Sequence, residues 1–552
     1  MTRWILTAEA DKIQHFVFRS SRLREVVGGS QLLTDFCDEV TRAIPPADCI
    51  VADGGAFTLL FDDPTRAADF GRALAQQYYE MTNCTLTVAH LTDWSGEPED
   101  FSDANRRAHL SLVSAKRQGR AAAGVGQGPY VAFCASCGVG LATTHHPLVE
   151  GESAQYVCDV CLRKAEKRGG EGSRFLREFK QAVVGDRFNC FNLPVEPEKL
   201  TGKWEARNYV AYLIADGNGM GKVFRQCKDP GQLHELSTGL EDVVRQSLAA
   251  PTRKLMGQAP RGSDQNLIPV LPLILGGDDV FVLLPAAYAL DFARQFCLEY
   301  ETRMAALLKR IGLSDMRATM SAAVVICKSK YPHTLVHKHG ERLLQEAKRL
   351  SKAVAVREKE RPGDKAVGSN KEQESDHNYS SVHFDVILGS RLPRETGETQ
   401  RYQNTLAPYW VFSPDSAPEF PQNIGLPLDR LLAQRLALAK QQIPNRRMIQ
   451  LRALYDPSRL PDKTAEALGL WSAELARIKA RMARNEKDVE TLEQTLKQLG
   501  GDRDGYWLPM NRPGTTTETI FEGHGLPDLI QMWDFSWYLD ENRGVYTAQE
   551  EA

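Results

Sequence analysis

An internal repeat constrains the fold of this sequence more than any other feature. The stretches IVADGGAFTLLF (residues 50–61) and LILGGDDVFVLL (residues 273–284) each place a Gly-Gly pair between two apolar runs. An ungapped offset of 222 positions relates five residues of the first half to five of the second: Gly54 to Gly276, Gly55 to Gly277, Asp69 to Asp291, Phe70 to Phe292, and Arg72 to Arg294. Because such an offset is hard to obtain by chance, we interpret the chain as two copies of one structural unit.

Both copies predict the same order of secondary-structure elements. Upstream of the Gly-Gly pairs, RWILTAEAD and YVAYLIADG have the apolar composition of buried strands that end in acidic residues. Downstream, LSLVSAKR and LLQEAKRL predict comparable helices that end with Lys116 and Lys348. Each half therefore runs strand, helix, strand, glycine turn, strand, helix, strand, helix. This order predicts an α/β (α+β) fold with a mostly antiparallel sheet covered on one face.

The second copy carries acidic residues where a metal site could form. Gly276 and Gly277 supply the positive φ angles of a tight hairpin and place Asp278 and Asp279 at its tip. Asp216 ends the strand YVAYLIAD. If the two strands are neighbours, the three carboxylates converge and repel one another unless an oxygen-binding cation joins them. We therefore predict a Mg²⁺ (or Mn²⁺) site in which two ions clamp a substrate phosphate.

Phosphate binding is predicted beside the same carboxylates. The segment GNGMGK follows Asp216, and its Gly217, Gly219 and Gly221 can bring backbone N–H groups close to a phosphate before a helix begins. Lys348 could meet a polyphosphate from the downstream helix. The alternative is that the aspartates decorate a solvated turn and that the lysine lies on a solvated helix face.

The first copy lacks the acidic pair. Ala56 and Phe57 occupy the positions of Asp278 and Asp279, and neither side chain can ligate a metal ion. The first half is therefore expected to be catalytically silent, although it could still bind a nucleotide.

Four of the eleven cysteines form a metal-binding pattern. Cys134 and Cys137, then Cys158 and Cys161, are two CxxC pairs separated by twenty residues, the spacing of a four-thiolate zinc site. A redox pair is the alternative. Because cysteine fills all four positions, we predict a structural Zn²⁺ whose binding contributes on the order of 10 kcal/mol to folding a small insert. The other, scattered cysteines fit reduced thiols.

Composition excludes several classes of protein. The 552 residues are too many for one core, so several domains are expected. No apolar run approaches the roughly 20 residues that cross a bilayer, and the N-terminus lacks the pattern of a secretion signal. We therefore expect a cytoplasmic protein with no membrane partner. The net charge of −3 argues against coating nucleic acid through bulk electrostatics alone, but it leaves local contacts open.

The remaining segments predict a loop and a helical region. Residues 351–379 are highly charged and nearly free of large apolar residues, which favours a flexible loop. From about Pro427 onward, leucine and alanine at helical spacing between charges predict packed amphipathic helices. The aromatic-rich segment WLPMNRPGTTTETIFEGHGLPDLIQMWDFSWYLD near the end is interpreted as core packing, with RNA stacking as the alternative.

Taken in order, these motifs resemble those of one known family, the large palm-domain (polymerase/cyclase) subunit of type III CRISPR effector complexes. The resemblance rests on AEADKIQHFVFRSSRLREVVGGSQLL, DGGAFTLLF, the two CxxC pairs, IADGNGMGK, GGDD, SAAVVICKSKYPHTLVHKHGERLLQEAKRLSK, HFDVI and APYWV. It spans about residues 1–410. A GGDD turn also resembles those of diguanylate cyclases, so the ordered set is more specific than any one motif.

The resemblance implies an architecture of four parts. Two ferredoxin-like palm domains face each other across a zinc-bearing domain, and a helical C-terminal domain contacts the small subunits. The implied boundaries are 1–125 for the first, non-catalytic palm, 126–204 for the zinc-binding domain, 205–395 for the second, catalytic palm, and 396–552 for the helical domain.

The resemblance also implies roles for individual residues. Asp216, Asp278 and Asp279 are the implied metal ligands, and Gly276 and Gly277 shape the turn at the reacting nucleotide. Implied contacts of a second nucleotide come from the first palm: Gly54 and Gly55, with the helix start at Gly29 and Ser30.

The function implied by the resemblance is a target-RNA-activated nucleotidyltransferase. It would convert ATP into cyclic oligoadenylates, second messengers of antiviral defence, by attack of one 3′-hydroxyl on the α-phosphate of another ATP. Implied partners are the guide (CRISPR) RNA, the target RNA and other type III subunits, including a small helical subunit and the subunit that binds the guide 5′ end.

Two departures from the family pattern are visible. Many relatives carry an N-terminal HD nuclease domain, but no His-Asp dipeptide occurs in this sequence, so DNA cleavage is not expected. Asn218 stands where relatives often have a second acidic residue, which leaves the metal geometry at that position open.

Two other functions remain open from the sequence. The chain could be mainly a scaffold that nucleates the ribonucleoprotein and recognises the guide 5′ tag. Alternatively, the palm could make a different product, such as an adduct of ATP with another small molecule or a cyclic dinucleotide.

Overall fold

The computed structural model describes most of the chain. The described residues are 2–20, 22–118, 132–148, 151, 153–167, 173–194, 196–201, 208–258, 266–359, 379–388, 405–412, 425–441, 443, 449, 465–482, 486–500, 508–511 and 520–539. Over these ranges, no helix combines the length and the apolar content that a bilayer-spanning segment needs.

The first copy forms a ferredoxin-like sheet domain. Its elements, in chain order, are β1 (Arg3–Ala10), α1 (Ile13–Phe18), α2 (Leu23–Ala43), β2 (Cys49–Asp53), β3 (Ala56–Phe61), α3 (Pro64–Thr82), β4 (Leu86–Val88), β5 (Thr92–Trp94) and α4 (Pro98–Gln118). The strand order is β2-β3-β1-β4, with β5 also paired to β1, and these pairs are antiparallel. The first strand thus lies inside the sheet, as in a βαββαβ unit.

The second copy repeats this arrangement. Its elements are β8 (Tyr209–Asn218), α7 (Met220–Arg225), α8 (Pro230–Gly257), β9 (Leu271–Gly276), β10 (Asp279–Pro285), α9 (Ala289–Arg310), β11 (Thr319–Lys328), α10 (His333–Lys359), β12 (Ser380–Val386) and β13 (Tyr409–Val411). The strand order is β13-β12-β11-β8-β10-β9, and the β11–β12 pair is parallel. Its core, β11-β8-β10-β9, matches β4-β1-β3-β2, so the predicted repeat and its ferredoxin-like fold are confirmed.

Both sheets are covered on two faces, so the prediction of one covered face is wrong. In β8, Leu213 packs with α8 and α9, whereas its neighbour Tyr212 packs with α10. In β3, Leu60 packs with α4, whereas Leu59 packs with α2 and α3. The physical reason is present in the sequence, since apolar runs such as YVAYLIA contain no alternating polar residue that could face water.

Residues 132–201 form an insert between the two sheet domains. Its helices and strands are β6 (Thr144–His146), β7 (Gln155–Val157), α5 (Asp159–Glu166) and α6 (Arg174–Val184). Lys164 of α5 is completely buried, and its ammonium donates to the carbonyl oxygens of Phe16 and Val17 at the end of α1. Because these carbonyls have no partner within their own short helix, the lysine docks the insert onto the first sheet domain.

The described residues of the C-terminal part are mainly helical, as predicted. It contains α11 (Leu428–Lys440), α12 (Ala465–Met482), α13 (Glu486–Gly500), β14 (Leu508–Asn511), β15 (Ile520–Gly523) and α14 (Leu526–Gln531). Leu526, Leu529 and Phe535 are buried, in agreement with core packing of the described part of the aromatic-rich segment. Strand β13 pairs with β12, so the second sheet continues past the predicted boundary at residue 395.

The predicted loop at residues 351–379 is wrong over its first part. Helix α10 continues through Lys359. Alanine, arginine, lysine and glutamate in this stretch are good helix formers, and their charge does not prevent the helix from continuing. The rest of the predicted loop, residues 360–378, lies outside the described residues.

Candidate active site and metal centres

The structure brings the three predicted aspartates to one corner of the second sheet. Strands β8 and β10 are antiparallel neighbours, as the metal prediction requires, and Val280 pairs with Ala215. One step further in this register, Asp279 lies opposite Asp216. Asp278 immediately precedes β10, and a Cβ atom built on Gly217 would lie 2.7 Å from its Oδ2. The carboxylates therefore come from the turn and from the end of the adjacent strand.

The hairpin that carries the acidic pair is a two-residue turn. Gly276 ends β9 and pairs with Asp279, so Gly277 and Asp278 form the loop. Gly277 has a φ of 56°, a left-handed conformation that favours glycine. Asp278 is thus held within the turn itself rather than after it, which brings its side chain over Gly217.

We predict that an added methyl group at position 217 disturbs this corner. In Gly217→Ala, the Cβ atom would lie 2.6 Å from Cγ of Met220 and 2.7 Å from Oδ2 of Asp278, so one side chain must move. We expect the melting temperature to fall by several degrees and the affinity for Mn²⁺ to decrease, as measured by thermal denaturation and by isothermal titration. In Gly221→Ala, the new atom would meet Nη1 of Arg225 at 3.6 Å. Gly221 is exposed, so Gly221→Ala serves as the control and should keep the wild-type melting temperature. A wild-type melting temperature in Gly217→Ala as well would contradict the prediction.

The pKa values of the acidic pair are raised. Burial, followed by the negative charges of Asp216 and Asp279, raises the pKa of Asp278 to about 8. Loss of surrounding water raises the pKa of Asp279 to about 7, and the charges of Asp216 and Glu341 contribute to this increase. Solvent still reaches the Asp279 side chain. Like charges that are drawn together and partly dehydrated favour the protonated form unless a cation neutralises them.

Two residues of α10 complete the corner. The ammonium group of Lys348 forms an ion pair with Oδ2 of Asp216. Glu341 lies seven residues earlier on the same helix, and its carboxyl pKa is raised by burial and by Asp216. No hydrogen-bond partner for its buried Oε1 atom occurs among the described residues. Sequence analysis found Lys348 and missed Glu341, although seven-residue spacing places both on one face of a helix.

This donor set fits a divalent cation. The carboxylates supply hard oxygen ligands, and the positive charge of Lys348 already neutralises Asp216. The cysteine sulfurs described below, which all lie within 4.8 Å of one another, form the one compact group of possible metal ligands in the described part of the chain, and the three carboxylates are less tightly gathered.

The glycine segment after β8 turns the chain into α7. Gly219 has a φ of 74° and immediately precedes the helix. Gly221 lies in the first turn of α7 and is exposed, whereas Gly217 is buried. Phosphate contact by these three glycines remains a prediction.

Asn218 belongs to a buried polar network rather than to the acidic corner. Its side-chain amide donates to the hydroxyl groups of Thr319 and Ser351 at 3.0 and 3.4 Å, and its carbonyl oxygen accepts from Ser321 at 2.9 Å. An uncharged amide fits this site because both its donor and its acceptor are satisfied there. Asn218 is thus separate from the acidic corner, and the corner retains the carboxylates of Asp216, Asp278 and Asp279.

The first domain contains a related corner without the acidic pair. Gly54 and Gly55 form the β2–β3 turn with φ angles of 57° and 79°. Nζ of Lys116 lies 2.6 Å from Oε1 of Glu9 at the end of β1, which parallels the pair between Lys348 and Asp216. Lys116 lies near the end of α4, as predicted, but Lys348 lies inside α10 rather than at its end.

The predicted helix start at Gly29 and Ser30 is wrong. Helix α2 begins at Leu23, so both residues lie inside it and are buried. A Cβ atom on Gly29 would lie 3.2 Å from Cε of Lys164, so this glycine leaves space for the buried lysine of the insert. A Gly-Gly-Ser sequence is common at helix ends, but here the glycine lies inside the helix, at a close contact with the insert.

The four predicted zinc ligands are together. The sulfur atoms of Cys134, Cys137, Cys158 and Cys161 all lie within 4.8 Å of one another. The first pair lies in a tight turn that closes through a hydrogen bond from the amide of Gly138 to the carbonyl of Cys134. The second pair lies at the start of α5, with Cys158 at its N-cap and Cys161 in its first turn. Four thiol ligands gathered in this way fit one zinc ion, as predicted.

Comparison with known proteins identifies the second sheet domain. Residues 209–355 match the family described as Cas10/Cmr2, second palm domain. This range contains the three aspartates, the glycine segment after β8, Glu341 and Lys348. No curated protein sequence matches the chain.

Several solved structures are similar to the chain at low sequence identity. A Csm1-Csm4 cassette in complex with one ATP is 16% identical with a TM-score of 0.40, and the alignment covers 63% of this chain and 53% of that chain. A Csm1-Csm4 cassette in complex with cA4 is 14% identical with a TM-score of 0.38, covering 63% and 52%. Csm1 of T. onnurineus is 16% identical with a TM-score of 0.39, covering 63% and 51%. The chain thus matches only about half of the length of these proteins.

The family match and the site geometry concern the same part of the chain. The matched range begins at the first residue of β8 and includes α10 as far as residue 355. Residues 209–355, which form most of the second sheet domain, therefore match the second palm domain of the Cas10/Cmr2 family.

Proposed function

We propose that this protein is the nucleotidyltransferase subunit of a type III CRISPR effector complex and that it joins ATP molecules into cyclic oligoadenylates. The observation that carries this proposal is the acidic corner of the Cas10/Cmr2 second palm, where Asp216, Asp278 and Asp279 lie beside Lys348. An acidic corner at a glycine turn suits a reaction at phosphorus, because phosphate oxygens and carboxylates share a divalent cation.

The residues of the second palm have distinct parts in this reaction. Asp216, Asp278 and Asp279 would hold Mg²⁺ or Mn²⁺, which when bound supplies the positive charge that a phosphoryl transfer requires. Lys348 would release Asp216 and bind a phosphate oxygen. The backbone N–H groups of the glycine segment would orient the polyphosphate of the ATP whose α-phosphate is attacked. As the 3′-oxygen loses its proton and bonds to this phosphorus atom, the bond between the α- and β-phosphates would break and pyrophosphate would leave.

The first palm would hold the second ATP. It has a glycine turn at Gly54 and Gly55 and the ion pair between Lys116 and Glu9, but it has Ala56 and Phe57 in place of the acidic pair. A nucleotide bound there would present its 3′-hydroxyl to the other palm, and the main contribution of the two palms would be orientation.

The proposed partners are RNA and other type III subunits. Guide and target RNA would regulate synthesis, and the helical C-terminal part would contact small subunits. We do not assign DNA cleavage to this chain, because it contains no His-Asp dipeptide.

The proposal is tested by product analysis. The purified complex, assembled with guide RNA, is incubated with target RNA, Mg²⁺ and labelled ATP, and the products are separated by chromatography and identified by mass. Cyclic products of adenylate units, formed only with target RNA, are expected. Absence of any nucleotide product would favour the scaffold function, and mixed adducts or a cyclic dinucleotide would favour a different palm chemistry.

Lys348 gives a prediction within the same assay. Lys348→Ala leaves Asp216 without its ammonium partner and removes a proposed phosphate contact, so we expect the turnover number to fall about 100-fold, which corresponds to about 2.7 kcal/mol. Lys352→Ala, one turn further along the exposed side of α10, is the control. Equal synthesis rates for the two variants would remove Lys348 from the site.

A further inference from the structure

The turns of the two palms touch each other through glycine. A Cβ atom on Gly54 would lie 3.8 Å from the backbone of both Gly276 and Gly277, and a Cβ atom on Gly276 would lie 3.7 Å from Cα of Gly54. The hairpin that carries the acidic pair therefore lies against the turn of the first palm. This contact joins positions that are more than 220 residues apart in the chain.

One side chain of the first palm bonds to the acidic hairpin. The backbone N–H of Gly277 donates to Oδ2 of Asp53, the last residue of β2, at 3.2 Å. Gly277 immediately precedes Asp278, and its left-handed conformation defines the turn. A bond at this amide therefore fixes the orientation of the Gly276–Gly277 peptide plane, which enters the turn one residue before Asp278. At the offset of 222 positions, the second palm has Leu275 in place of Asp53.

Charged residues of three helices support Asp53 in its half-buried position. Arg174 of α6 and Arg245 of α8 oppose the increase in the pKa of Asp53 that burial causes. Both arginines are held by Glu178, at 2.9 Å from Arg174 and 3.1 Å from Arg245. Arg174 also pairs with Asp38 of α2. The carboxylate that contacts the hairpin is thus set in a network built from both palms and the insert.

Part of this network lies directly behind the hairpin. Glu241 and Arg245 of α8 line a recess whose other wall contains Gly276 and Gly277. Burial raises the pKa of the Glu241 carboxyl, and the nearby negative charge of Asp53 raises it further. Because the hairpin is bordered by this network on one side and by Gly54 on another, it has little room to change its position.

We propose that Asp53 of the first palm is a positioning residue for the acidic site of the second palm, and that it acts by accepting the hydrogen bond from the Gly277 amide. The first palm would then be part of the catalytic machinery through a side chain, independently of whether it binds a nucleotide. This inference rests on the proposed function, because it assigns a residue that sets the geometry of the same site.

The test combines kinetics with hydrogen exchange on the assembled complex. In Asp53→Ala, we expect the turnover number to fall about 10-fold with little change in the KM for ATP, because the acidic ligands are misplaced while the nucleotide contacts remain. The Mg²⁺ concentration for half-maximal rate should rise. Asp53→Asn retains an acceptor oxygen and should recover most of the rate. Asp69→Asn, an exposed substitution on α3, is the control.

Hydrogen exchange measures the bond without relying on synthesis. The Gly277 amide in wild-type protein should exchange much more slowly than an unprotected amide, and in Asp53→Ala it should lose this protection. An unprotected Gly277 amide in the wild-type complex would overturn the inference, even if Asp53→Ala fails to fold. The inference would also be overturned if Asp53→Ala folds and keeps the turnover number and the Mg²⁺ requirement of the wild-type complex. If the wild-type complex makes no product, the proposed function fails, and the exchange result still decides whether Asp53 holds the hairpin.

Discussion

Replacing Asp278 and Asp279 together by asparagine is expected to reduce nucleotide synthesis by at least about a thousandfold, about 4 kcal/mol of transition-state stabilisation. Asparagine preserves the size of both side chains but removes the negative charges that would bind a divalent cation. The measurement is the rate of product formation by the assembled complex with target RNA, Mg²⁺ and ATP. Synthesis within tenfold of the wild-type rate would show that another part of the complex carries the reaction.

The same variant should be more stable than the wild-type protein when Mg²⁺ is absent. The folded protein retains protons at Asp278 and Asp279 up to about pH 8 and about pH 7, whereas ordinary aspartates release them near 3.8. Because the folded state binds more protons over this interval, the free energy of unfolding falls as pH rises from about 4 to 8. Asparagine does not titrate over this pH range, so the double variant does not undergo this decrease in the free energy of unfolding.

Thermal denaturation at pH 5 and pH 8 checks this expectation. The buffer should lack Mg²⁺ and also lack chelators, so that zinc stays bound. We expect the double variant to exceed the wild-type melting temperature by several degrees at pH 8 and by less at pH 5, and added Mg²⁺ to reduce the difference at pH 8. A difference that does not depend on pH would mean that the two carboxyl groups titrate as ordinary exposed aspartates.

Loss of the zinc ligands should have the largest effect on folding. Replacing Cys134 and Cys137 by serine removes half of the ligand set, and zinc binding by four thiolates contributes on the order of 10 kcal/mol. We expect the variant to lose one zinc ion per chain in elemental analysis and the insert to become sensitive to proteolysis. The melting temperature should also fall, because the insert docks onto the first palm through Lys164.

Cys190 provides a matched control for this experiment. It is an exposed free cysteine outside the cluster. Cys190→Ser should therefore keep the zinc content, the protease resistance and the melting temperature of the wild-type protein. Unchanged zinc content in the Cys134 and Cys137 double variant would contradict the assignment of the metal ligands.

Features encoded by neighbouring residues were predicted best. The turn at Gly54 and Gly55 and the clustering of the two CxxC pairs each depend on a few adjacent positions, so local sequence defines their geometry. The second turn differs in detail, because Gly277 but not Gly276 has a positive φ and Asp278 lies within the turn. Glu341 was within reach of the same reasoning, because it lies two helical turns before Lys348. It was missed because a single glutamate in a charged helix usually faces solvent.

Features that depend on close packing were predicted less well. Gly29 was assigned to a helix start, but its missing Cβ makes space for Lys164 from the insert. Asn218 stood out as a departure from an acidic pattern, but its amide satisfies hydroxyl groups on β11 and α10. In both cases the reason for the residue lies in a partner more than 100 positions away.

By itself, the sequence determined the duplicated architecture, the cluster of four cysteines and the three aspartates that meet at the corner of the second sheet. Each of these follows from a repeated or regularly spaced sequence pattern, which can be recognised without knowledge of the fold. Only the tertiary structure decided that Asp53 of one palm holds the Gly277 amide of the other, and that Lys348 neutralises Asp216. The first contact joins two domains and the second joins a helix to a strand of one domain, so the geometry of both exists only after these distant elements have packed together.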